Sequence, residues 1–343
     1  MTVHSRIDPE TMCFCGCVAV GLFFFWWTTR RVPRFHQWLR MSNKDGTTSF
    51  VSSARKLRDT MEDEFYTART EWAVFDGHTG REAATYAKKR IGYLVQSEST
   101  KAADMQTAVT QAIAQLDADL LTIQRQEIEL RGEMTKLRNR MVSTGYAEAD
   151  SKAADAPVPL DDTTAGTTLL YARVDDGQLM VANVGDSRAV LCHKGQAIPL
   201  SRDHKPELTD EKQRIQKVGG NVDYLGETAA GKQIYRVERQ LAMSRCIGHP
   251  QLKAKGVSAE PEITVHQLRD GDEFLLLASD GVWDSMSNAE ACDLARCASG
   301  GQDAVDTIIR HSNCGDNATV ILIDLRSFAP APSLLSAVDG RRT

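Results

Sequence analysis

Two apolar runs in this chain stop in the same way. Trp72-Ala73-Val74-Phe75 ends at Asp76-Gly77-His78, and Phe274-Leu275-Leu276-Leu277-Ala278-Ser279 ends at Asp280-Gly281. Short apolar runs closed by Asp-Gly read as buried strands whose backbone turns sharply at a sheet edge. Each delivers a carboxylate to that edge, where it can reach a metal ion. Taken alone, each is equally a strand-to-helix turn with polar residues in it, and remote stretches of the chain have to decide. Thr79-Gly80-Arg81-Glu82 has the form of a capping box, which predicts a helix over about 79–95 with His78 fixed between strand and helix. Ser287 to Glu290 offers a second capping box after the second Asp-Gly turn.

The segment Arg58-Asp59-Thr60-Met61-Glu62-Asp63 adds more acids. In an extended chain Glu62 and Asp63 point to opposite faces, so one can serve a metal while its neighbour meets a supporting partner. Arg58 shares the face of Glu62. Further on, Val109, Ile113, Leu116, Leu120, Ile123, Leu130, Met134, Leu137 and Met141 alternate steps of four and three. This predicts a helix or helical hairpin over about 101–145. Glu127 and Gly132 interrupt the seam, which favours packing on a sheet over dimerisation. Unbroken it would be about 60 Å long, so a break near Gly132, or an arm leaving the domain, is expected. Residues 146–162, rich in Ala, Asp and Pro, read as a flexible connection, and 327–343 as a disordered tail.

Strand patterns return at 166–172 and 179–184, the latter leading through Gly185-Asp186-Ser187 into Arg188–Leu191 as a hairpin. In such a hairpin Asp186 and Arg188 would brace the turn, and His204 would fix a loop. A helix is expected from Thr209, closed by Gly219-Gly220. Trp283 reads as core and Asp284 as a brace on the Asp280 turn. The last strand, Ala318–Asp324, directly follows Gly315-Asp316-Asn317.

With 343 residues and 42% hydrophobic content, the chain can bury one large core. The net charge is −5, yet residues 1–40 carry five arginines against Asp8 and Glu10, so the remainder is more acidic still. That balance argues against nucleic acid as a partner and suits bound cations. Eight scattered cysteines form no disulfide framework, which points to a reducing compartment. Residues 12–29 are uncharged and end in Trp26-Trp27 before Arg30, Arg31 and Arg34. They are just long enough for a membrane anchor that leaves the remainder in the cytoplasm. An acylated surface segment, or a true start at Met41, would read the same way.

Taken in order, several motifs resemble the protein phosphatase 2C family of metal-dependent serine/threonine phosphatases over residues 50–325. They are Arg58…Glu62-Asp63, Asp76-Gly77-His78, Gly166-Thr167-Thr168, Val184-Gly185-Asp186-Ser187-Arg188, Asp203-His204-Lys205-Pro206, Gly219-Gly220, Ala259-Glu260-Pro261-Glu262, Asp280-Gly281-Val282-Trp283-Asp284 and Asp316-Asn317. The resemblance implies an α+β fold, a four-layer α-β-β-α sandwich of two antiparallel sheets flanked by helix pairs, over a catalytic domain of 41–326 behind a leader of 1–40. It implies two Mg²⁺ or Mn²⁺ ions. Asp76 would bridge them, the Gly77 carbonyl and Glu62 would serve one, and Asp280 and Asp316 the other. A water between the ions would attack phosphorus, with Arg58 holding the phosphoryl group, His78 as general acid and Asp63 orienting the site. Phosphoprotein substrates and a monomer are expected.

Two positions depart from the family pattern. His249 follows Ser244-Arg245-Cys246-Ile247-Gly248 where the family usually has aspartate, and Thr163 stands at the aspartate that helps hold a weaker third ion. Asp162 beside it is the expected substitute. The competing function is a catalytically silent scaffold that binds partners through the 101–145 helix. Retention of Glu62, Asp76, His78, Asp280 and Asp316 favours the enzyme, since a scaffold needs none of them.

Overall fold

Apolar runs that do not alternate belong to strands buried on both faces. In the computed structural model, which describes residues 39–42, 48–54, 58–144, 164–228, 231–312 and 315–328, the two most apolar runs are central neighbours. Asp272–Ala278 and Ala318–Asp324 lie side by side in a six-stranded antiparallel sheet. Its order is Leu39–Ser42, Thr48–Ala54, Ala318–Asp324, Asp272–Ala278, Arg188–His193, Gln196–Pro199. A five-stranded antiparallel sheet runs Glu262–Gln267, Gln178–Val184, Leu169–Asp175, Glu71–Phe75, Glu64–Thr67.

The sheets face each other across Val51, Trp72, Leu170, Leu191, Leu275 and Ile321. On the outer face of the five-stranded sheet, helices Glu82–Ser99 and Met105–Ser143 seal Ala73, Phe75 and Tyr171 with Ala87, Ile91, Ile113 and Leu116. On the other outer face, helices Asn288–Cys297 and Gly301–His311 cover Val190, Leu276 and Val320 with Cys292, Val305 and Ile308. Each large aliphatic side chain buried in these layers contributes roughly 1.5–3 kcal/mol. The result is the expected α-β-β-α sandwich.

Two local expectations need correction. Gly185-Asp186-Ser187 does not close a hairpin: Gln178–Val184 pairs within the five-stranded sheet, whereas Arg188–His193 pairs with Asp272–Ala278 in the other. The turn crosses between sheets. The Thr79 capping box does not form either. Thr79 and Gly80 have φ of 59° and 117°, and the helix starts at Glu82 with no side-chain cap. That left-handed step lets Gly77–His78 pair with Gly166–Thr167 before the helix begins.

Of the two forms expected for the long helix, a break or an arm, it takes the second: it is unbroken from Met105 to Ser143, capped by Asp104, whose carboxylate accepts from Thr107 N at 2.8 Å. Its buried residues end at Gln124, and Leu130, Met134, Leu137 and Met141 are exposed. The proximal half packs on the sheet and the distal half is an arm. An exposed Gly132 costs about 1 kcal/mol relative to alanine, too little to break it.

The leader 12–29 and positions Asp161, Asp162 and Thr163 lie outside the described residues. Among those described, no helix is long and apolar enough to cross a membrane.

Candidate active site

Antiparallel register gathers the remote acids at one edge. Ala278 pairs with Val320, so the chain leaving one strand through Ser279-Asp280 runs beside the chain that enters the next from Asp316-Asn317. Gly281 permits this approach, because a Cβ there would lie 1.8 Å from the Asn317 carbonyl oxygen. In the other sheet Glu64 pairs with Phe75, which sets Glu62-Asp63 beside Asp76.

Hydrogen bonds tie the two edges together. Ser279 Oγ donates to Asp63 Oδ2 at 2.8 Å and accepts from Thr319 N at 2.9 Å. Asp76 N donates to Thr168 Oγ1 at 3.0 Å, and Thr168 Oγ1 is 2.9 Å from Ser187 Oγ. Arg58, Glu62, Asp76, Gly77, His78, Asp280 and Asp316 line one cavity of about 550 Å³. Asp63 is buried, bonded to Ser279, and does not line it.

Electrostatics here are dominated by burial and like charge. Burial, reinforced by Asp63, Asp280 and Asp186, pushes the Asp76 carboxyl well above the usual carboxylate range. Burial and Asp186 raise Asp280 to about 8. Asp63 rises to about 6 through burial, against hydrogen bonds from Ser279 and Thr319. His78 falls to about 3, mainly through burial and then through His249. Its two ring nitrogens have no hydrogen-bond partner among the described residues.

Crowded, buried carboxylates of this kind need positive charge. The donor set is all oxygen, which suits a hard divalent cation over a softer metal. Among the described residues no three His, Cys, Asp or Glu side chains form a closed cage by themselves. The fit to a cation therefore rests on donor chemistry, carboxylate and carbonyl oxygens crowded at one edge. The residues fit such ions.

Three side chains stand closer to the site than their sequence suggested. Asp186, expected as a hairpin brace, is fully buried, and its charge acts on both Asp76 and Asp280. Its partner is Lys205 Nζ at 2.5 Å; burial alone would lower the Lys205 pKa, and the charges of Asp186 and Asp280 raise it instead. Asp284 lines the cavity and accepts from Lys232 Nζ at 2.6 Å. The signal for these residues lay in the ordered motifs around 184–188, 203–206 and 280–284. Other expectations stand as drawn: His204 Nδ1 accepts from Gly185 N at 3.1 Å, and Trp283 is buried, with Arg188 over its ring at 5.3 Å.

The family model described as protein phosphatase 2C matches residues 39–312. The chain belongs to the protein phosphatase 2C family. It is 34% identical to Protein phosphatase 2C 37 of Arabidopsis thaliana over 307 residues, covering 82% of this chain and 72% of that protein. It is also 34% identical to Protein phosphatase 1L of Bos taurus, covering 81% and 72%. The fold is similar to a crystal structure of serine-threonine phosphatase 2C from Toxoplasma gondii, with a TM-score of 0.63 at 21% identity, over 86% of this chain and 99% of that one. Membership of the protein phosphatase 2C family supports serine/threonine protein phosphatase activity.

Proposed function

We propose that this protein hydrolyses phosphoserine and phosphothreonine in proteins with Mg²⁺ or Mn²⁺, through a catalytic domain spanning about 41–326. Convergence of Glu62, Asp76, Asp280 and Asp316 with Arg58 and His78 on one cavity carries this reading. A silent scaffold would gain nothing from burying like charges together, an arrangement that costs stability.

Asp76, the Gly77 carbonyl and Glu62 would hold one ion, and Asp76, Asp280 and Asp316 the other. When bound, the pair supplies the Lewis acidity that lowers the pKa of water and neutralises phosphoryl charge. Arg58, half exposed at the cavity and paired there with Asp316, would turn its planar fork to two phosphoryl oxygens when substrate binds. His78 donates its proton to the departing seryl or threonyl oxygen. Burial keeps its ring neutral in the resting site, so the substrate dianion has to support the charged form. Asp63, held by Ser279, orients Asp76 from behind.

Hydrolysis of a phosphothreonine peptide by the full chain, with and without Mn²⁺ and beside Asp280→Asn, tests the proposal. Mn²⁺-dependent turnover that Asp280→Asn abolishes is expected. Absent or metal-independent turnover in the parent overturns it.

A further inference from the structure

The chain carries a second imidazole beside His78. His249 and His78 have ring centroids 5.7 Å apart and an interplanar angle of 29°, a stacked arrangement. Both line the cavity. Their meeting is built by a short sheet of three two-residue strands in which His78 and Gly248 each pair with Gly166, from opposite sides. Gly166 has to lack a side chain, because a Cβ there would lie 2.3 Å from His78 Nε2.

The backbone is bent specifically to aim the second ring. Gly248 and His249 both adopt left-handed conformations, with φ of 78° and 63°. Histidine enters that region more readily than most side chains, yet a positive φ is still uncommon outside glycine and persists where the surroundings fix it. Here the proximal half of the long helix does so. Asp117 Oδ1 accepts from Gly248 N at 2.8 Å and pairs with Lys253 Nζ at 2.9 Å. Gln124 Nε2 donates to the Ala165 carbonyl at 2.6 Å, and His249 N donates to the same carbonyl at 3.3 Å.

We propose that His249 is a positioning residue for leaving-group protonation, holding the His78 ring by its aromatic face so that a ring nitrogen meets the departing alkoxide. His78 has no hydrogen-bond partner of its own among the described residues. The bare Gly166 backbone and the His249 ring are surfaces that it packs against. This rests on the reading of His78 as general acid.

The test compares two substrates. A threonyl alkoxide needs a proton to leave, whereas p-nitrophenolate departs as a stable anion, so misplacing the acid lowers kcat on the first far more than on the second. In His249→Asn, whose side chain tolerates the left-handed backbone but offers no ring, the ratio of kcat on phosphothreonine peptide to kcat on p-nitrophenyl phosphate should fall about tenfold. His249→Phe should restore it to within about twofold. In the metal-free protein the His78 ring-proton NMR signals should lose their ring-current shift in His249→Asn and keep it in His249→Phe.

A parent-like ratio in His249→Asn overturns the proposal, as does a Phe variant as impaired as Asn. Should the Phe variant fail to fold by thermal unfolding, the Asn ratio and the NMR shift decide. His78→Gln separates this proposal from the reading beneath it. If that variant leaves the substrate ratio unchanged, His78 is not the acid, and the ring-current shift still reports whether His249 holds the ring.

Discussion

Arg58 and Asp316 stand 258 positions apart in the chain and meet as a fork, Nε donating to Oδ1 at 2.7 Å and Nη2 to Oδ2. One of these groups is proposed to grip phosphate and the other to hold a cation, yet here each neutralises the other. Substrate and metal therefore compete with an internal ion pair. Arg58→Ala should lower kcat/KM on a phosphothreonine peptide by about 10- to 100-fold, the loss of one or two charge-assisted hydrogen bonds. Mn²⁺ half-saturation should fall or stay level, since Asp316 is released. Steady-state kinetics with Mn²⁺ calorimetry check both, and a raised half-saturation would show that Arg58 does not compete.

Asp280 gives a prediction of opposite sign for stability and activity. It is buried, with the charges of Asp186, Asp284 and Asp316 set against it and that of Lys205 offsetting them. Asp280→Asn removes a crowded charge while keeping the shape. Without metal, denaturant unfolding should show a gain on the order of 1–2 kcal/mol. Mn²⁺-dependent turnover should meanwhile fall about 10²- to 10³-fold, as several kcal/mol of charge stabilisation is withdrawn. A destabilised metal-free variant would mean that the carboxylate is paired rather than crowded.

The sequence reveals what is local and conceals what depends on register. Both Asp-Gly ends were legible because an apolar run and its turn are contiguous. The Ser287 capping box forms with both reciprocal bonds for the same reason. Thr79 had an equally good pattern and failed, because pairing of His78 with Gly166, 88 positions away, overrides the local preference. Gly185-Asp186-Ser187 reads identically as a hairpin or as a crossover, and only the distant strand Asp272–Ala278 decides. Asp186 follows from the same crossover: a brace in a hairpin becomes a buried acid whose charge reaches Asp76 once the turn bridges two sheets. Likewise no spacing rule pairs Arg58 with Asp316.

Glu211 sets the acid limit of the fold. Its side chain is 1% exposed and accepts from Arg245 Nε at 3.0 Å, from Arg214 and from Ser244 Oγ. Burial alone would raise its pKa; the hydrogen bonds from Arg245, Ser244 and Arg214 outweigh that and bring it to about 2. A depressed folded value means the contribution is complete above the ordinary glutamate range and is lost as pH falls from about 4.5 toward 2. It amounts to something on the order of 3 kcal/mol. Glu211→Gln should flatten that part of the stability curve. At neutral pH it should destabilise by about 3–5 kcal/mol, because two arginines lose their partner. Chemical denaturation across pH 2–7 measures it. As Ser244 and Arg245 begin the segment that ends at His249, the variant should also lower phosphothreonine turnover.

The long helix divides into halves that should respond oppositely to substitution. Leu116 is fully buried against helix Glu82–Ser99 and the five-stranded sheet, so Leu116→Ala leaves a cavity and should cost about 2–5 kcal/mol. Leu130 and Met134 continue the same seam about four and five turns further on, yet are 57% and 64% exposed. Replacing both with glutamate removes no packing and keeps good helix formers in place. Stability should then stay within about 0.5 kcal/mol of the parent for each site, with turnover unchanged, because the contacts that the helix makes to the catalytic loops come from Asp117 and Gln124 in its proximal half. Thermal unfolding of the three variants side by side separates the halves. A large loss from the double glutamate would mean that the seam is covered in solution.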